Sequence, residues 1–296
     1  MHYLEVTLRL SIKEIEVPQE VVDSAYSSSF LNLNTDIPVN NYLILRSISN
    51  NKTTAFLQHM GKGVFCKVRS PESLTLTGLK PRDAKQTAFV NSLVDENILI
   101  HVATGSAGTG KTTLALAYAL DKWTNNKKPI ILSKPTIMVG EGKAFGPVPG
   151  DMNEKYAPYL ASYEIAIKRI LGKHGASQLE MMKRKEGLQY VPVELVRGSE
   201  FAGCTFLLDE AQNLHWHELK TIMTRMGAET KMIIMGDLNQ IDLPIKASET
   251  GLYKLLNSKP FEDSTVSSQI MLTTQYRSPV TQLIADVDTW IKQQEG

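Results

Sequence analysis

An α/β fold, with a parallel sheet covered by helices on both faces and a small β-rich module in front, is what this sequence predicts. Three observations carry that expectation. From Leu79 onward, short continuous apolar runs alternate with amphipathic stretches, the pattern of buried parallel strands separated by helices. Before Leu79 the apolar residues instead recur with period two between short turns, as in small antiparallel sheets. A glycine-rich segment, GSAGTGKT, stands between one apolar run and a helical stretch. The boundary is therefore expected between a β-rich module at 1–78 and a larger unit at 79–296.

In the leading module, Leu4, Val6, Leu8, Leu10 and Ile12 alternate with Glu5, Thr7, Arg9 and Ser11, which predicts a half-buried strand. Pro18 is placed to open a short helix through Val21, Val22 and Tyr26. YLILRSI and TAFLQH read as strands, with GKG as a turn before VFCKV. Asp83 can cap a helix carrying Ala84, Ala88, Phe89, Val90 and Leu93. ILIHVA, bounded by Asn97 and Gly105, then reads as a buried strand. PIILS from Pro129, YVPVELV from Tyr190, TFLLD from Thr205 and KMIIMGD from Lys231 follow as further buried strands, with IMLTT from Ile270 a weaker one. In such a sheet, ligands bind beyond the carboxyl ends of the strands.

Composition excludes some classes. No apolar run approaches the ~20 residues that a membrane-spanning helix needs. The opening MHYLEVTLRL alternates and carries charge, unlike a secretory signal. No membrane partner and cytoplasmic residence are the expectations. The formal net charge is +1, so nucleic-acid contact, if made, falls to a local patch. Cys66 and Cys204 are far apart, with no CxxC and no nearby His pair, which supports neither a disulfide framework nor a zinc site.

Gly105, Ser106, Ala107, Gly108, Thr109, Gly110, Lys111 and Thr112 fit the G-x-x-x-x-G-K-[ST] spacing, with Thr113 next in line. Glycines let the backbone wrap a phosphate with its N–H groups turned inward, and the helix that follows presents its positive end to the same anion. Lys111 would reach the β- and γ-phosphates, and the Thr112 hydroxyl would ligate Mg²⁺. A structural Gly-rich turn ending in Lys-Thr is the alternative. The strand before and the helix after weigh against it.

FLLDEAQN places Asp209 at the end of a buried strand with Glu210 directly after. Asp209 is expected to hold the Mg²⁺ shell, and Glu210 to polarise a water for attack on the γ-phosphate. A solvated acidic turn is the plainer alternative, weakened by the phosphate loop expected on a neighbouring strand. No NKxD guanine motif occurs, since NKTT at Asn51 fails it. ATP and Mg²⁺ are thus the expected cofactors. The strand candidates between Lys111 and Asp209 suit the RecA-like branch of P-loop folds. Asp237 and Gln240, in KMIIMGDLNQ, are expected to sense Mg²⁺-bound water or the γ-phosphate. Arg277, in TTQYRSP, could stabilise charge in the transition state. Gln86, in KPRDAKQTAF, lies upstream of the loop and resembles in position the Gln with which helicases read the adenine edge, or could be a solvated helix residue.

GSAGTGKT, VGEGKAFGPVPGDMNEKYAPYL, the LVRG at Leu195, DEAQNLHWHELKTIMTRMG and KMIIMGDLNQIDLP occur in this order. Together they resemble the PhoH family over about Leu79 to Ile284. The resemblance implies a P-loop ATPase similar to one core domain of superfamily 1 helicases, with RNA unwinding as an associated activity. TDIPVNNYLILRS followed by GLKPRDAKQTAF is similar to the linker of the longer PhoH form that carries a PIN ribonuclease. The first eighty residues show no carboxylate cluster with the PIN spacing, so RNA cleavage is not carried over. QYRSP resembles the superfamily 1 helicase motif more than the PhoH arginine segment.

About 59 residues follow Asp237, short of the roughly 100–150 of a typical domain. Closure on the nucleotide is then expected from Arg277 within the chain or from a neighbouring subunit. The resemblance implies a ring, with six copies the expected number, built head to tail near the ATP site. Lys168, Arg169, Lys173, Lys183, Arg184 and Lys185, together with SKPT at 133–136, are candidate contacts for RNA or single-stranded nucleic acid. A solvated helix face is the other reading of the basic run. Two functions stay open: a nucleic-acid motor, and an ATP-switched oligomer that regulates or remodels proteins.

Overall fold

A computed structural model describes residues 12–135 and 152–276, together with positions 283, 287 and 290. The first sheet comprises β1 (Lys13–Val17), β2 (Phe30–Asn32), β3 (Tyr42–Ser47), β4 (Thr54–Gly61) and β5 (Val64–Lys67), in the order β1-β3-β4-β5-β2. β1 runs parallel to β3, and the other pairs are antiparallel. Helix α1 (Gln19–Ser27) starts immediately after Pro18 and buries Val22 and Ala25 against Leu43, Leu45, Leu57 and Phe65. The alternating run from Leu4 to Ser11 lies outside the described residues.

The second sheet is wholly parallel. Its strands are β6 (Ile100–Thr104), β7 (Ile130–Ser133), β8 (Leu188–Tyr190), β9 (Thr205–Leu208), β10 (Lys231–Gly236) and β11 (Ser267–Met271), in the order β11-β6-β10-β9-β7-β8. Alternate residues of each strand feed opposite faces, as the pleat requires. Ile233 and Met235 join the side covered by α2 (Ala84–Val94), α3 (Lys111–Asn126), α4 (Met152–Leu171) and α5 (Gly175–Arg184). Met232 and Ile234 join the side covered by α6 (Trp216–Met223), α7 (Gly251–Leu256) and α8 (Lys259–Glu262). This is the expected α/β sandwich with a RecA-like sheet. Among the described residues no helix is long and apolar enough to cross a membrane.

Three expectations need correction. YVPVELV is not a strand: β8 ends at Tyr190, and Val193–Gly198 forms a 3₁₀ turn. Pro192 has no N–H to donate and sits at φ −55°, so pairing cannot continue, and Val196 packs inward instead. IMLTT is only the end of a strand that begins at Ser267, whose buried Ser267, Ser268 and Gln269 hid it from a hydrophobic reading. The strand bearing Asp209 is not a neighbour of the phosphate-loop strand, because β10 lies between β6 and β9.

The first sheet shares the core beneath α2. Tyr42 and Val68 pack with Phe89 and Leu93. Asn91 of α2 donates to the Gln58 side chain at 2.7 Å, and Asn40 donates to the Thr265 and Ser267 carbonyls. At the opposite end of the second sheet, buried Lys231 donates to the carbonyls of Leu93 and Asp95, closing the end of α2. Burial lowers its ammonium to about 8, against the opposing charge of Glu96. The folded chain therefore gives up this proton before the unfolded chain does, so its contribution to stability grows as pH rises from about 8 toward 10.5. The difference in urea midpoint between the wild type and Lys231→Met is expected to widen in favour of the wild type between pH 8 and 10.

Candidate nucleotide site

The carboxyl ends of β6, β9 and β10 meet at a cavity of about 290 Å³, floored by Ala107, Gly108 and Gly110 and walled by Thr112, Asp209, Glu210, Asp237 and Gln240. The loop's shape follows from its glycines. Gly105, Gly108 and Gly110 have φ of 137°, 86° and 96°, conformations that side chains rarely adopt. At Gly105 a Cβ would also collide with the Leu272 carbonyl. The loop delivers the chain into α3, whose first residue is Lys111. The Lys111 ammonium donates to the Gly105 and Ser106 carbonyls of its own loop.

Opposite the loop, the Thr112 hydroxyl donates to Asp209 Oδ2 at 3.2 Å, and the Tyr163 hydroxyl donates to the same oxygen at 3.0 Å. The Glu210 N–H donates to Asp209 Oδ1 at 3.0 Å. Burial raises the Asp209 carboxyl above its ordinary range, and the Glu210 charge adds to this, while the bonds from Tyr163 and Glu210 N–H oppose it. Burial and the Asp209 charge raise the Tyr163 phenol well above its usual value, so it remains a donor. Glu210 occupies a left-handed conformation, φ 55°, uncommon for a residue with a side chain. That turn brings its carboxylate to the cavity wall.

Gln212 received no role from the sequence, yet it organises this wall. Fully buried, its Nε2 donates to Glu210 Oε2 at 2.7 Å and to the Gln240 carbonyl at 2.9 Å, while its Oε1 accepts from Asp237 N–H at 3.0 Å. One amide thus ties the acidic pair to the Asp237–Gln240 loop. Asn213 repeats the tie one residue on, exchanging two bonds with Asp242. Gln212→Ala would leave the buried Asp237 N–H unsatisfied. It is expected to lower the unfolding free energy by about 1–3 kcal/mol, read by urea denaturation.

A second cavity, about 730 Å³, opens on the other side of the loop, lined by Leu79, Arg82, Gln86, Gly108, Thr113, Arg169 and Tyr276 among others. Gln86 is 4% exposed, which overturns its reading as a solvated helix residue. Its Nε2 donates to the Thr109 carbonyl and its Oε1 accepts from Arg82 N–H, both at 3.0 Å, so it braces the loop from behind. Asp83 caps α2 as expected, accepting from Gln86 N–H at 2.8 Å. Asp83 Oδ2 also accepts from the Tyr276 hydroxyl. The segment after β11 lies on the loop: Gln275 donates to the Ser106 hydroxyl and Tyr276 N–H to the Gly108 carbonyl. Arg82 stacks over the Tyr276 ring at 5.0 Å.

The structure therefore gathers Lys111, Thr112, Asp209, Glu210, Asp237 and Gln240 around one cavity and puts Gln86 behind the loop. Arg277, Thr136 and most of the VGEGKAFGPVPGDM segment lie outside the described residues. The basic run is exposed along α4, α5, the turn between them and the residue after α5, but Lys183 is paired with Glu164 at 2.6 Å and approaches Glu180 at 3.9 Å. Cys204 is buried and Cys66 partly so; both are free thiols. The hydroxyl and carboxylate oxygens of Thr112 and Asp209 are the donor type a hard divalent cation takes while keeping most of its own waters.

The family described as PhoH-like protein matches residues 78–288. Protein PhoH2 of Bacillus subtilis is 27% identical over 284 residues, covering 93% of this chain and 63% of that protein. A PhoH-like protein of the same bacterium is 40% identical over 149 residues, covering 50% of this chain and 45% of that one. The chain thus spans between roughly half and just under two thirds of the length of these relatives. Among solved structures, the Pif1 helicase from Candida albicans aligns with a TM-score of 0.31 at 18% identity, over 64% of this chain and 39% of that one, a likeness too slight to carry weight.

Proposed function

This chain belongs to the PhoH-like protein family, and from that premise we propose that it is a Mg²⁺-dependent ATPase whose cycle is coupled, in an oligomer, to RNA or single-stranded nucleic acid. The observation that carries the reading is the 3.2 Å contact between Thr112 and Asp209 at the start of α3, with Glu210 beside it on the cavity wall. The phosphates lie in the loop from Gly105 to Thr113, against its backbone N–H groups and the positive end of α3. Lys111 exchanges the Gly105 and Ser106 carbonyls for β- and γ-phosphate oxygens. Thr112 and Asp209 hold the cation, which when bound neutralises charge on those oxygens.

Glu210, kept in place by Gln212, orients a water and accepts its proton. Asp237 and Gln240 share that amide and so respond to the γ-phosphate together with Glu210. The adenosine end fits the larger cavity, with Gln86 bordering the base and Arg82 and Tyr276 supplying a cation and a ring. Arg277, next in the chain after Tyr276, supplies positive charge to the transition state in its own subunit or a neighbouring one. The chain divides at about residue 78 into a β-rich module and an ATPase unit, working in the cytoplasm as a ring of several copies.

ATP turnover with and without RNA or single-stranded DNA, across a salt series, tests this. Stimulation that fades as salt rises is expected, with Glu210→Gln inactive throughout. An absence of turnover in folded protein sinks the ATPase. Turnover indifferent to nucleic acid at low salt shifts the reading to an ATP-switched oligomer acting on proteins. One observation favours that second reading: the Lys183 pairing with Glu164 and Glu180 makes the basic run less positive than its sequence implies. Sedimentation that finds only monomer with full activity removes the ring.

A further inference from the structure

A carboxylate offers about four acceptor positions, two on each oxygen. On Asp209, Oδ2 is taken up by the hydroxyls of Thr112 and Tyr163, and Oδ1 accepts the Glu210 N–H. Among the described residues these are its hydrogen bonds, which leaves one position, on Oδ1, for a water of the cation. The orientation of the carboxylate is thus decided by three donors. Two of them, Thr112 and Glu210, belong to the expected motifs. The third comes from α4, 46 residues away in the chain.

Tyr163 is 5% exposed and packs in the same core cluster as Ile167, Leu116 and Leu207. A phenylalanine would fill that apolar space equally well. A buried hydroxyl is costly unless it is bonded, and among the described residues the partner of this one is Asp209. Packing accounts for the ring, and the bond to Asp209 accounts for the oxygen. The helix that carries it is anchored along the core rather than on a loop, so the hydroxyl is delivered by a rigid element.

We propose that Tyr163 is a positioning residue for the cation site: its hydroxyl fixes the rotation of the Asp209 carboxylate, making α4 a structural part of the nucleotide site. This rests on reading Thr112 and Asp209 as the cation-holding pair. Removing the hydroxyl frees one position on Oδ2 and lets the carboxylate turn, so that Oδ1 no longer meets the cation's water in a single orientation. Loss of an outer partner of this kind typically costs 10–100-fold in metal affinity.

The test is the Mg²⁺ dependence of binding of a fluorescent ADP analogue to the full chain, with wild type, Tyr163→Phe and Tyr163→Leu compared. Tyr163→Phe is expected to raise the Mg²⁺ midpoint by about tenfold, with analogue binding in EDTA unchanged and the melting temperature lowered only by the few degrees that one lost buried hydrogen bond costs. Tyr163→Leu is expected to show the same midpoint shift with a still lower melting temperature, which separates the hydroxyl from the packing. A midpoint in Tyr163→Phe that is unchanged or lower overturns the proposal, as does an equal loss of binding in EDTA. If the wild type binds the analogue with no Mg²⁺ dependence, the cation reading of Thr112 and Asp209 fails first and takes this inference with it.

Discussion

Glu210→Gln is expected to bind nucleotide as the wild type does and, if the chain is the ATPase proposed, to hydrolyse it about 10²–10⁴ times more slowly, the range by which a positioned general base contributes. The substitution keeps the shape of the side chain and removes its negative charge. The Gln212 Nε2 that now donates to Glu210 Oε2 at 2.7 Å finds an amide oxygen able to accept in the same place. The left-handed turn at residue 210 and the tie to the Asp237–Gln240 loop therefore persist. What disappears is the carboxylate on the cavity wall, the proposed proton acceptor. The effect falls on kcat, with KM and analogue affinity within a few-fold of the wild type, as steady-state turnover and equilibrium binding would read. Hydrolysis within threefold of the wild type would mean that another group activates the water.

Lys111→Ala is expected to lose both binding and turnover. Taking away a charged donor aimed at developing negative charge costs about 10²–10³ in rate at comparable sites. Here the loss extends to the ground state, because the ammonium also bonds the carbonyls of Gly105 and Ser106 and so helps hold the loop before nucleotide arrives. Affinity should fall as well as kcat, unlike Glu210→Gln. Lys111→Arg is expected to recover little, since a wider planar head does not match the compact ammonium that reaches the Gly105 and Ser106 carbonyls of the tight loop. Calorimetry of nucleotide binding beside turnover separates the two variants. Full affinity in Lys111→Ala would remove Lys111 from the phosphate site.

The glycine-rich loop of the candidate site was legible because its chemistry is contiguous. Three glycines with positive φ, a lysine and a threonine must follow one another for a backbone to wrap an anion, so the spacing alone identifies them. Asp209 and Asp237 were legible for a related reason: each follows a short apolar run, and a carboxylate that ends a buried parallel strand has one place to go. The α/β sandwich followed from the same runs, because Ile233 and Met235 must be covered on one side and Met232 and Ile234 on the other.

What tertiary structure alone decided has no local signal. The polar start of β11 is a strand because β6 pairs with it and Asn40, from the far end of the chain, reaches its Ser267 carbonyl. Gln86 is buried rather than solvated because the Thr109 carbonyl lies behind it. Tyr163 reaches Asp209, and Gln212 joins Glu210 to Asp237, only once β10 has come between β6 and β9. Local sequence records which face of a segment is apolar and which groups must be neighbours along the chain. The order of strands, and so which distant donors meet which carboxylate, depends on the packing of the whole sheet.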